Sequence, residues 1–149
     1  MGSETAIKRG YRIGELSGIT GVKSGTIRFY EKCGFIETAA RLPNNYRVFN
    51  ERHIYQVRVC RLVFCGFVSH KLRKASMELI EAARAWDLAG YERAAAEYVD
   101  MIDGEIERTK KVIETVICDM GIQYLKSLAE LREKAMELYL LADEMKKIC

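Results

Sequence analysis

The chain has 149 residues, 49% of them apolar and 30% charged, with a single proline; this composition suits one globular domain, or a small domain with a helical extension, and argues against extended disorder. No run approaches the roughly 18 consecutive apolar residues of a membrane helix and no basic-then-apolar leader opens the sequence, so the expected compartment is the cytoplasm, with no membrane partner. Five cysteines without close pairing fit a reducing compartment better than a disulfide framework.

The net charge of +3 hides a division. Residues 1–75 carry 14 Lys or Arg against 5 Asp or Glu, whereas residues 76–149 carry 10 against 16. A half of net charge +9 joined to a half of −6 points to a polyanion as partner of the first half alone.

After a flexible N-terminus, 1–10, the chain reads as four parts: a basic unit over 11–75, a connector helix over 76–88, a long helix over 89–120 and a C-terminal helix over 121–149. The stretch 13–19, "IGELSGI", predicts a short helix with Ile13, Leu16 and Ile19 on one stripe, interrupted at Thr20 and Gly21. A second helix over about 23–32 follows, and Gly34 ends it as a left-handed cap. Val22, Ile27 and Phe29 or Tyr30 can reach its core. Two short helices around a glycine turn make a helix-turn-helix.

Residues 35–49, "FIETAARLPNNYRVF", hold the lone proline and an Asn44-Asn45 pair between β-branched and aromatic segments, which predicts a hairpin. Two helical pieces broken at Gly66 are expected over 51–75, with Ile54, Val57 and Cys60 on one face of the first and Phe67 and Leu72 anchoring the second.

In the long helix, Ile102, Ile106, Thr109, Ile113, Val116 and Met120 recur at intervals of three and four. A stripe so narrow on a charged helix suits pairing with a second chain, with Gly121 as the stop. The C-terminal helix repeats the pattern at Leu128, Leu131, Ala135, Leu138, Ala142 and Met145, and folds back on its own chain or on its mate.

A helix in the major groove needs short polar side chains for base edges and longer cationic or hydroxyl groups for phosphates. Lys23, Ser24 and Thr26 stand in the first turn of the second helix, with Arg28 and Tyr30 one turn later. The hairpin sets Arg41 and Arg47 on its two arms with Tyr46 beside one of them, and "SHKLRKAS" groups His70, Lys71, Arg73 and Lys74 at a helix start.

These residues resemble the MerR family of bacterial transcription regulators. "IGEL", "TGV" and "TIRFYEK-G" match its helix-turn-helix in type and spacing, and "NNYRVFN" is similar to its wing. The resemblance covers 11–75, and the long helix by position. It implies a mainly α protein: a winged helix-turn-helix followed by a long dimerisation helix forming an antiparallel coiled coil, and a C-terminal helix. It also implies a homodimer that bends and untwists double-stranded promoter DNA in response to an effector, acting on RNA polymerase indirectly. Carried over, the DNA contacts fall on Thr26, Arg28 and Tyr30, on Arg41, Tyr46 and Arg47, and around Lys71 and Arg73, with Ile27 and Phe29 holding the recognition helix to its domain. The chain departs from the family at Gly25, where a long polar residue is common, and at Asn45 in place of a wing glycine.

For sensing, Cys118 stands near where family members bind metal, but no Cys or His lies between Asp119 and Lys147, and a metal site needs further ligands; no metal or cofactor is expected. Trp86, Tyr91, Tyr98, Tyr124 and Tyr139 either line a pocket for a small organic, flat or cationic effector or pack the helices. An enzyme is not expected: only His53 and His70 are available, and neither a glycine-rich phosphate loop nor a G-x-S-x-G motif occurs. The alternative to a regulator is a protein-interaction module with a non-specific DNA anchor, favoured by Gly25.

Overall fold

The computed structural model describes residues 10–64, 69–116 and 119–148. The protein is mainly helical: α1 (Ile13–Thr20), α2 (Ser24–Lys32), β1 (Ala40–Arg41), β2 (Arg47–Val48), α3 (Glu51–Val63), α4 (His70–Ala85), α5 (Leu88–Thr115) and α6 (Asp119–Met145). The first five elements form a winged helix-turn-helix, and the remaining three extend it as packed helices.

Local chemistry sets the short elements. The Arg12 amide donates to the Glu15 carboxylate, 2.9 Å, at the head of α1. At its foot Gly21 takes φ 74° and donates its N–H to the Ser17 carbonyl, a left-handed cap. α2 ends in a Schellman turn: Gly34, at φ 78°, bonds back to Glu31, and Phe35 bonds back to Tyr30, 2.9 Å. The Tyr30 and Phe35 rings then meet with centroids 6.4 Å apart, the apolar contact that accompanies this motif.

The wing is antiparallel, pairing Ala40 with Val48 and Arg41 with Arg47. Asn45 turns it at φ 71°, a conformation Asn accepts. Tyr11 and Phe49 exchange backbone hydrogen bonds of 2.7 and 2.8 Å, so the chain entering α1 is stitched to the wing. Asn50 caps α3 by accepting from the His53 amide, and Ser69 caps α4 by accepting from the Leu72 amide.

The helical extension departs from the expected boundaries. α4 runs unbroken from His70 to Ala85, so the limit drawn at 75/76 falls inside it. It closes in a second Schellman turn with Trp86 in the left-handed position, φ 56°, and the Asp87 amide bonding back to Ala82. α5 ends at Thr115, earlier than expected, so Met120 belongs to α6 and Gly121 lies within that helix. The expected break at Gly66, the Phe67 anchor and Cys118 lie outside the described residues.

α5 and α6 form an antiparallel hairpin, as three cross-links show: Tyr91 Oη donates to the Leu138 carbonyl, 2.6 Å, Glu92 pairs with Lys146, 2.8 Å, and Asp103 pairs with Arg132. The C-terminal helix therefore folds back on its own chain. The stripe read on α5 begins earlier than the sequence reading placed it: Tyr91, Ala95, Tyr98 and Ile102 are buried, against Leu128, Leu131, Ala135, Leu138, Ala142 and Met145 of α6. Along the same stripe Ile106, Thr109 and Ile113 are half-buried and Val116 is exposed. The hairpin is buried at its base and opens toward its far end, where Val112, Val116 and Met120 are 57, 59 and 83% exposed.

Candidate nucleic-acid interface

α2 and the wing enclose a concavity of about 490 Å3 lined by Gly25, Arg28, Phe29, Glu31, Lys32, Thr38, Arg41 and Arg47. Four cations face one carboxylate. Ile27 and Tyr30, three residues apart, share the buried face of α2, which leaves Lys23 and Arg28 exposed and Ser24 and Thr26 half-exposed on the others.

This register corrects two expectations. Tyr30, expected at phosphates, is buried among Phe35 and Phe64, and burial pushes its phenol pKa up. Phe29, expected in the core, is 56% exposed. Phe35 does not choose between them, its ring centroid lying 6.4 Å from each; Tyr30 stands one turn from buried Ile27 and has a second ring, Phe64, at 5.8 Å. In a groove Phe29 offers an apolar contact of the kind thymine methyls accept.

Glu31 organises the wing. One carboxylate oxygen accepts from the Ala39 amide at 2.8 Å and the other from Arg47 Nε at 2.7 Å. Burial alone would push its carboxyl pKa up, but the Ala39 amide and the Arg47 guanidinium outweigh that and hold it below the usual value. Arg47 is thus a brace between wing and α2. Arg41 donates to the Asn45 carbonyl across the turn, 2.9 Å. The exposed Tyr46 ring lies under the Arg12 guanidinium at 5.0 Å. Among the described residues, neither Arg28 nor Arg41 has a carboxylate within 4.0 Å.

Two buried polar residues fix this unit. His53 accepts from the Asn50 amide through Nδ1 and faces the Glu37 carbonyl through Nε2, 2.9 Å, so Nε2 carries the proton. Burial lowers its pKa. Gln56 accepts from the Glu37 amide and donates to the Glu37 carboxylate, 2.6 Å, and to the Ala83 carbonyl, 3.1 Å. It ties the segment after α2 to the end of α4.

Lys71 and Arg73 are exposed in the first turn of α4 and lie outside the α2–wing concavity; Lys71 borders the groove between α4 and α5 beside Glu78 and Glu97. The five aromatics proposed for an effector do not form one cluster. Tyr91 and Tyr98 are hairpin core, Trp86 is stacked by Arg52 at 5.2 Å, Tyr124 is half-buried and Tyr139 is exposed. Sequence reasoning missed Arg12, Glu31 and Gln56, whose roles depend on partners distant in sequence.

Residues 12–49, which carry this interface, match the MerR family regulatory protein. The chain carries a MerR-family domain. It is 33% identical over 78 residues to the nodulation protein NolA of Bradyrhizobium elkanii, an alignment covering 50% of this chain and 35% of NolA, so the chain spans about a third of that relative. It is 28% identical to the HTH-type transcriptional regulator ZntR homolog of Haemophilus influenzae over 84% of this chain and 83% of that one. It is 32% identical to the mercuric resistance operon regulatory protein of Bacillus cereus over 43% of this chain and 49% of that one. Two of these relatives are named as regulators, one as an HTH-type transcriptional regulator and one as an operon regulatory protein. Among the described residues no group of three or more His, Cys, Asp or Glu could hold a metal, and no helix is long and apolar enough to cross a membrane.

Proposed function

We propose that the chain is a sequence-specific regulator that binds promoter DNA as a homodimer and bends and untwists it under control of a small effector, reaching RNA polymerase through the DNA. One observation carries this reading. The α2–wing concavity is cationic, its wing is braced by Glu31 and Arg47, and Arg28 and Arg41 stand clear of carboxylates among the described residues. Ser24 and Thr26 supply base-edge contacts, Arg28, Lys23, Arg41 and Tyr46 grip phosphates, and Lys71 and Arg73 give a second backbone grip. The exposed tip of the α5–α6 hairpin, with Val112, Val116 and Met120, supports pairing with a second chain.

The second reading, an interaction module with a non-specific DNA anchor, is favoured by Gly25, whose side has open space in the first turn of α2 and no side chain to meet a base. Footprinting on the DNA upstream of the chain's own gene separates the two. A regulator protects a symmetric site at least about a thousandfold more tightly than a scrambled duplex at physiological salt. Equal, weak and salt-sensitive binding to both duplexes selects the anchor.

A further inference from the structure

A cavity of about 580 Å3 lies where α6 crosses α1 and α3 and shares no lining residue with the α2–wing concavity. Its walls alternate in character. Ile19, Leu62 and Leu141 are apolar, while Arg58 and Arg61 of α3 and Lys134 of α6 oppose a single carboxylate, Glu137. Spacing explains the convergence. Arg58, Arg61 and Leu62 share one face of α3, and Lys134, Glu137 and Leu141 share one face of α6. Arg58 rests over the Tyr55 ring at 5.4 Å, and Arg61 donates from Nη1 to the Thr20 carbonyl at 2.9 Å. Among the described residues, none of the three cations has a carboxylate within 4.0 Å. A half-enclosed site with three cations, one anion and an apolar floor is short of negative charge.

We propose that this cavity binds an amphipathic anion, with a carboxylate or phosphate head held by Arg58, Arg61 and Lys134 and an apolar body against Ile19, Leu62 and Leu141. The placement gives binding a consequence. Arg61 holds the last carbonyl of α1, which leads through Gly21 into the recognition helix, while Lys134 belongs to the hairpin. An anion bridging the two changes how the helix-turn-helix sits on the hairpin. Its part as the effector rests on the regulator reading; the binding itself does not.

The test is calorimetric titration of the full chain without DNA, using octanoate, octyl phosphate, inorganic phosphate and octyltrimethylammonium. Expected is saturable binding of octanoate or octyl phosphate, one per chain, at least tenfold tighter than the cation or inorganic phosphate; whichever head binds more tightly identifies the group recognised. Lys134→Ala and Arg58→Gln should each weaken it at least tenfold while keeping the wild-type melting temperature, and Lys134→Arg should restore it. Equal binding of octyltrimethylammonium, absence of binding by both amphipathic anions, or unchanged affinity in folded variants overturns the site. The effector role is tested separately: the bound anion should shift operator affinity in the wild type but not in Lys134→Ala, and no shift overturns that role. Failure of any operator binding would remove the regulator reading and leave the titration result standing.

Discussion

The winged unit and the α5–α6 hairpin hold themselves together by different means. In the winged unit, helices of eight to thirteen residues and two-residue strands depend on single polar side chains, Glu31, His53 and Gln56, that each satisfy several partners. In the hairpin, helices of 28 and 27 residues are joined by a repeating apolar stripe, with ion pairs such as Glu92 to Lys146 on its surface. Short elements bury too little apolar area to fix their own orientation, so directed hydrogen bonds do it. Long helices average their contacts over many turns. The recognition surface is therefore set by a few residues, and the hairpin by a pattern.

The sharpest way to press this contrast is at the proposed DNA face, where the one intramolecular bond at stake is the exposed one from Arg41 to the Asn45 carbonyl. Arg28→Ala combined with Arg41→Ala should lower affinity for a specific duplex about a hundredfold and reduce the salt dependence of binding by about two ion equivalents. Urea unfolding should stay within about 0.5 kcal/mol of wild type. Binding titrations at several salt concentrations check it, and a large stability loss would place these arginines with the braces.

Next in size is the polar core. Gln56→Ala leaves the Glu37 amide without its partner and removes one of two donors to the Ala83 carbonyl, and should cost about 2 kcal/mol in urea unfolding. Tyr91→Phe, which removes the hairpin bond to Leu138 but keeps the ring, should cost about 1 kcal/mol. Equal losses would erase the distinction between the two regions.

Acid should act on the winged unit first. Burial places the His53 pKa below its ordinary 6.5, so below that pH the unfolded chain binds a proton that the folded chain does not. Stability is then full above about pH 6.5 and falls on acidification, by up to about 1.4 kcal/mol per pH unit. Glu31 works lower, since its depressed pKa contributes stability that is lost only below its ordinary 4.5. Unfolding free energies between pH 7.5 and 5.5 should slope in the wild type and be flatter in His53→Asn.

The smallest effects come from two glycines of opposite sign. Gly34→Ala places a Cβ at φ 78° with open space around it, so only backbone strain operates, and about 1 kcal/mol should be lost. Gly25→Ala fills open space within α2 and should gain up to about 1 kcal/mol. Thermal melts of both resolve the sign.

What the sequence made legible follows the same contrast. Periodicity revealed the α6 stripe from Leu128 to Met145, and residue type marked the turns at Gly21, Gly34 and Asn45, because these depend on near neighbours. It left Phe29 and Tyr30 both open as core residues, and the resemblance set Phe29 inward, since either can face inward from a nine-residue helix until Phe64, distant in sequence, packs on Tyr30. It overran the end of α5, where no glycine or proline marks the stop at Thr115. Arg47 was legible as a cation of the wing, but its brace to Glu31, sixteen residues away, left no local signal. Nor did Trp86, which occupies a left-handed position that glycine usually fills.

That residue is the chain's single tryptophan, and its ring is stacked under Arg52 of α3 at the point where α4 hands over to α5. An indole so placed is a built-in fluorophore at the joint between reader and hairpin. A rotation that parts the guanidinium from the ring should shift the emission, so fluorescence of the unlabelled protein would follow the coupling between the two halves.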